Sequence, residues 1–157
     1  MTRQSIMAAA VMCLVGIPAA SETAPKDVIF EEGAVAVSLT GVPGNPEEGA
    51  KVISTRSLGN CVACHQISAM PEAQFQGNVG PALDGAASRW SEAQLRGMVT
   101  NAKVMFEGTR MPAFYKVDGF IRPGVGFTRE PATEPLPPIL TAQQIEDVVA
   151  YLLTLQE

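Results

Sequence analysis

The chain has 157 residues, with 11 Lys and Arg against 16 Asp and Glu and a formal net charge of -5. Such acidity argues against nucleic acid as a partner, because phosphate binding draws on clustered basic side chains. No basic amphipathic stretch points to a membrane surface, and the length suits a single domain.

At the N-terminus Arg3 precedes an apolar run from Ile6 to Ile17 and the small residues Ala19-Ala20-Ser21, which reads as a cleaved secretory signal peptide over 1–21. The run is too short for a membrane span, and the polar segment Ser-Glu-Thr-Ala-Pro-Lys-Asp follows at once, so no retained transmembrane helix is expected. A soluble periplasmic protein follows. Cys13 lies inside the apolar run and leaves with it, so Cys61 and Cys64 are the thiols that remain, and no structural disulfide is expected despite an oxidising compartment. Residues 22–45 form an irregular N-terminal extension. Its weak alternation over Ala34-Val35-Ala36-Val37-Ser38-Leu39 suggests a short strand lying on the surface.

Three helices have start chemistry as well as periodicity. Asn45-Pro46-Glu47-Glu48 supplies a capping side chain, a proline at the first helical position and two carboxylates at the positive end of the dipole, predicting a helix over about 46–57. Between this helix and the next lies Cys61-Val62-Ala63-Cys64-His65, and His65 is the only histidine in the chain. C-x-x-C-H is the attachment sequence of a c-type haem, in which the thiols form thioethers to the vinyl groups and the histidine lies under the iron. Zinc would need a second Cys/His pair, and a thioredoxin-like dithiol would need strand periodicity in its flanks; the sequence has neither.

The second helix is predicted over about 92–103, from Ser91 with Gln94 as a capping box, Trp90 with Leu95 as a staple, and the stripe Leu95, Met98, Val99, Ala102. Methionine is the soft ligand left for the sixth iron position, there being no second histidine. Met70 is too near His65 to reach the opposite haem face, and Met98 belongs to the helix stripe. Met105 and Met111 remain, and Met111 is favoured because Pro112 biases it toward the extended backbone of a ligand-bearing loop. A Pro/Gly-rich insertion over 116–139 follows, long for a compact domain and so a candidate functional loop. Thr141 with Gln144, the staple Leu140 with Ile145, and the stripe Ile145, Val148, Val149, Leu152 predict a last helix over about 142–155. The class is all-α.

Residues 46–157 resemble the class I cytochromes c, small helical domains in which N- and C-terminal helices cross around one haem. By that resemblance Gly80-Pro81-Ala82-Leu83 is similar to the family's G-P-x-L segment, whose proline carbonyl accepts the proximal histidine's N–H, against the alternative of an ordinary Gly-Pro turn. Cys61, Cys64 and Pro81 would then bind one covalent haem c, with His65 and Met111 as the metal ligands. The distal methionine of that family is likewise often followed by proline.

A closer resemblance, to the SoxX family of monohaem subunits of periplasmic SoxAX cytochromes, is carried by four segments. These are Leu58 to His65, Arg89-Trp90-Ser91-Glu92-Ala93-Gln94-Leu95-Arg96, Gly108-Thr109-Arg110-Met111-Pro112-Ala113-Phe114-Tyr115-Lys116, and Ile139 to Leu152. The resemblance implies a heterodimer with a SoxA-like haem protein, from which this subunit accepts electrons as thiosulfate is joined oxidatively to a cysteine of a SoxY-like carrier. A downstream acceptor then takes the electron. No spare thiol or open iron position remains for sulfur chemistry, so the subunit itself is expected to be non-catalytic. The competing readings are a free-standing electron carrier and, less compatible with His/Met ligation, an autonomous haem enzyme.

Overall fold

The computed structural model describes residues 21–121, 123–124, 129–132 and 135–156. The signal-peptide expectation falls on residues 1–20, outside the described residues apart from Ser21, and so do Val125 and Phe127 of the Pro/Gly-rich insertion. Among the described residues four α-helices follow in chain order: α1 Pro46–Ser54, α2 Ala86–Arg89, α3 Glu92–Asn101 and α4 Ala142–Leu152, with 3-10 turns at Pro25–Asp27, Cys61–Ala63 and Ala102–Val104.

Each predicted start is found, because each is set by a local cap. Asn45 accepts the backbone N–H groups of Glu47 (2.9 Å) and Glu48 (3.4 Å), and complete capping boxes form at Ser91/Gln94 and Thr141/Gln144. Helix ends come earlier than the apolar periodicity suggests. Thr55 is extended and donates its N–H to Lys51, after which Gly59 and Asn60 both turn back to the Val52 carbonyl. The turn is what returns the chain to the Cys61 segment. At the far end Leu153–Leu155 continue α4 as a turn, with Thr154 N–H on Tyr151 and Leu155 N–H on Leu152.

Helices α1 and α4 cross at a glycine. A Cβ on Gly49 would lie 2.0 Å from the Asp147 carbonyl oxygen and 2.9 Å from the Tyr151 Cβ, so no larger residue fits. A helical glycine costs about 1 kcal/mol relative to alanine, and here it allows the two backbones to approach. Around the crossing, Val52 and Ile53 of α1, Leu95 and Val99 of α3, and Ile145, Val148, Val149 and Leu152 of α4 are buried together. Full burial of each such side chain stabilises by about 1.5–3 kcal/mol.

The N-terminal extension departs from expectation. It forms no strand among the described residues, only the isolated bridge Glu31–Ala34, and it does not lie on the surface, since Val35 and Leu39 are buried in the core. The reason is a buried ion pair that alternation could not reveal. Arg96 of α3 and Glu146 of α4 meet at 2.9 Å, and this pair also serves the extension: Arg96 Nη1 donates to the Val35 carbonyl (3.0 Å) and Leu39 N–H donates to Glu146 Oε1 (2.7 Å). Backbone groups of the extension are thus satisfied by side chains and helix ends rather than by a partner strand, including Val35 N–H on the Ala93 carbonyl at 2.9 Å. Desolvation pulls the Arg96 guanidinium down, but hydrogen bonds and charge from Glu146 and Glu92 outweigh it and hold Arg96 above the usual arginine value.

Candidate haem-attachment site

The attachment segment is built from a left-handed step and a 3-10 turn. Asn60 sits at φ 48°, a conformation asparagine tolerates better than most residues, and opens the turn Cys61–Ala63. Within it Cys64 and His65 both donate their N–H groups to the Cys61 carbonyl, at 3.0 and 2.9 Å. Val62 points into the core, while Cys61 is half-buried and Cys64 exposed, both as free thiols. Burial pushes the Cys61 thiol up to about 11. Among the described residues no three His, Cys, Asp or Glu side chains gather as an ion site, which leaves the zinc alternative without a ligand set.

His65 Nδ1 lies 2.6 Å from the Pro81 carbonyl oxygen. A carbonyl can only accept, so Nδ1 carries the hydrogen and, in the neutral ring, Nε2 is left as the lone-pair nitrogen. Gly80 N–H donates to the Cys64 carbonyl and Leu83 N–H to the Gln66 carbonyl, both at 2.9 Å, so the Pro81 carbonyl is pinned from either side. A Cβ on Gly80 would fall 2.2 Å from the His65 ring, and one on Gly77 would fall 2.1 Å from the Ala63 carbonyl oxygen. These glycines let the returning chain close against the attachment turn.

Polar side chains that sequence reasoning passed over complete this loop. Gln76 accepts from Ile67 N–H (2.6 Å) and donates to the Met70 and Ile67 carbonyls, shaping the chain after His65. Asp84 accepts from Ser68 N–H and Oγ, and Arg89 donates to the Asp84 and Ala82 carbonyls on both sides of Leu83. Each is a lone polar residue with no motif to mark it.

The structure thus brings Cys61, Cys64, His65 and Pro81 into one constellation. Met111 lies on the segment after α3, half-buried at the edge of the core, with its N–H on Thr109 Oγ1 at 3.3 Å. The other methionines among the described residues have packing roles. Met70 is buried, Met98 packs against the core, and Met105 is closed against Gly33 of the extension, where even a Cβ would meet its own Cβ at 2.8 Å. Two thiols at this spacing, an imidazole with Nε2 uncommitted and a thioether suit a covalently held haem.

This arrangement is a c-type cytochrome domain, and the chain belongs to the cytochrome c family: the family model described as Cytochrome c matches residues 46–156. No curated protein matches. Among solved structures the chain is similar to a chain in the crystal structure of SoxXA from P. pantotrophus, with 66% sequence identity, a TM-score of 0.84, and coverage of 87% of this chain and 100% of that one. The all-α, class I cytochrome c-like fold and the resemblance to the SoxX family are borne out by these matches. The cofactor of such a domain is covalent haem c.

Proposed function

We propose that the chain is the periplasmic electron-transfer subunit of a thiosulfate-oxidising complex, accepting electrons from a SoxA-like haem partner as thiosulfate is conjugated to a carrier-protein cysteine of the SoxY type. The observation that carries this reading is the likeness, at 66% identity over the whole of the matched chain, to a component of SoxXA. When bound, the single haem c supplies a one-electron iron couple. Cys61 and Cys64 would hold it as thioethers, and His65 would offer Nε2 as proximal ligand while Pro81 fixes Nδ1. Met111 would be the sixth ligand. A thioether there would raise the reduction potential and would leave no open position, which suits relay rather than substrate chemistry. The acceptor beyond this subunit is a downstream redox protein.

No helix among the described residues is long and apolar enough to cross a membrane, and the N-terminal pattern over 1–21 supports export by a cleaved signal. The partner surface we assign to the Pro/Gly-rich insertion. Its base is closed by Leu140 N–H on the Phe114 carbonyl (3.0 Å), three residues after Met111, and its first residues expose Ile121 at 97% and Phe120 at 45%. Apolar side chains held out in this way suit burial against another protein. Copurification from native periplasm tests the reading. A second haem protein is expected with the chain, and shortening 118–134 with a Gly/Ser linker is expected to weaken the association while the haem spectrum survives. Isolation of the chain alone would favour the free-standing carrier, and absence of haem mass on the peptide containing 61–65 would refute covalent attachment.

A further inference from the structure

Nine residues separate Asn101, the last of α3, from Met111, and one side chain spans the loop between them. Lys103, on the 3-10 turn Ala102–Val104, donates from Nζ to the Met111 carbonyl at 2.7 Å and to the Thr109 carbonyl at 3.1 Å. The other hydrogen bonds of the loop among the described residues are local: Lys103 N–H to Asn101 Oδ1, Met105 and Phe106 N–H to Ala102, Thr109 N–H to Phe106 at 3.3 Å, and Met111 N–H to Thr109 Oγ1 at 3.3 Å. None of these ties Met111 to the turn from which the loop departs. Gly108, at φ 74° with open space where a side chain would be, gives the loop no packing of its own. Pro112 has no N–H to contribute beyond it.

We propose that Lys103 is a positioning residue for the distal thioether, an assignment that rests on Met111 being the sixth ligand. Its ammonium has three donors and no acceptor, and two of the donors close a ring across the eight residues to Met111. Bonds from a charged donor are stronger than neutral ones, and here both act on the short segment whose position decides whether the Met111 sulfur stays at its post. Lys103 would act through the backbone carbonyls of Thr109 and Met111 and not as a ligand. It sets how readily the segment swings away and admits another ligand.

The experiment uses the haem-loaded protein and imidazole as probe, following the thioether-to-iron charge-transfer band of the ferric form. Lys103→Gln is expected to bind imidazole about tenfold more tightly, the loss of about one strong hydrogen bond in holding the methionine. Lys103→Arg, which keeps charge and donors, is expected to return within about twofold of the parent. The thermal unfolding midpoint followed by far-UV circular dichroism is expected to change little in either variant. An unchanged imidazole affinity in Lys103→Gln overturns the assignment. An equal rise in Lys51→Gln, whose side chain pairs with Glu48 on α1, traces the effect to net charge and overturns it as well. Failure of the underlying ligand reading is separate, since Met111→Ala would then keep the band whatever residue stands at 103.

Discussion

The His65 imidazole and the Pro81 carbonyl face each other at 2.6 Å, and the space that allows this contact belongs to Gly80, where a Cβ would sit 2.2 Å from the ring. Three consecutive sequence decisions therefore act on one nitrogen: a histidine after the second cysteine, a glycine that clears the ring, and a proline whose carbonyl has the Gly80 and Leu83 backbone bonds beside it. A donor–acceptor contact of this kind raises the basicity of the opposite nitrogen.

Gly80→Ala is expected to push the ring off the Pro81 carbonyl. A less basic imidazole stabilises ferric iron less, so the reduction potential should rise, and the yield of haem-loaded protein should fall, loss of such a supporting contact costing about 10–100-fold in metal affinity. Potentiometry on the holoprotein, with Gly77→Ala as a neighbour that disturbs the Ala63 backbone instead of the ring, checks it. An unaltered potential in Gly80→Ala would mean that the ring tolerates displacement and that the contact does not tune the iron.

Met111→Ala is expected to remove the thioether-to-iron charge-transfer band of the oxidised protein and to lower the potential, because a thioether favours ferrous iron. Met105→Ala should leave both nearly unchanged, its side chain being spent on packing against Gly33. Its effect should appear instead as a stability loss of about 1 kcal/mol in urea unfolding, the side chain being half-buried. A reversed pattern would move the sixth ligand to Met105.

The buried Arg96–Glu146 pair predicts coupling between α3, α4 and the N-terminal extension. Glu146→Gln leaves the guanidinium buried with only Glu92, itself exposed, as a charged partner, and should destabilise by about 3–5 kcal/mol. Limited proteolysis should then cut within 21–44 in the variant and not in the parent, since Leu39 and Val35 lose their charged hydrogen-bond partner or its alignment. The double variant Arg96→Met/Glu146→Leu removes the buried charges but takes these partners from the Leu39 N–H and the Val35 carbonyl, so it should recover the stability only in part. A loss below about 1 kcal/mol in Glu146→Gln would show that the pair behaves as an exposed one.

What could be read from the sequence divides by the range over which residues act. The starts of α1, α3 and α4 were legible because Asn45, Ser91 and Thr141 cap within three residues, and C-x-x-C-H was legible because its chemistry is contained in five. The helix ends were not, because apolar periodicity continues through Leu155 while the backbone has already left α4. Placement of the extension depends on Glu146, 107 positions from Leu39, so alternation over Ala34–Leu39 suggests a surface strand and misses the burial of Val35 and Leu39. Gln76, Arg89 and Lys103 act through backbone carbonyls brought near by folding, and a single polar side chain gives no advance sign of that.

The described N-terminal extension should also carry a pH dependence through Tyr115. Its hydroxyl shares its one proton between the Thr23 carbonyl at 2.8 Å and Glu22 Oε1 at 3.0 Å, while its own N–H is on the Thr100 carbonyl, so it ties the extension to α3 four residues after Met111. Burial first, then the hydrogen bond and charge of Glu22, push the phenol from its ordinary 10.0 up to about 12. The folded state thus holds this proton more tightly than the unfolded chain does. Its contribution is fully present below the ordinary value and is lost as pH rises toward about 12. Urea unfolding across that alkaline window should show stability falling in the parent, and falling less steeply in Tyr115→Phe, which has no proton to lose. Tyr151 is also raised, by burial and then by Glu72 and Asp84, so the difference between the two proteins is the informative quantity. Superimposable pH profiles would mean that the Tyr115 contacts with Glu22 and Thr23 contribute nothing to holding the extension in place.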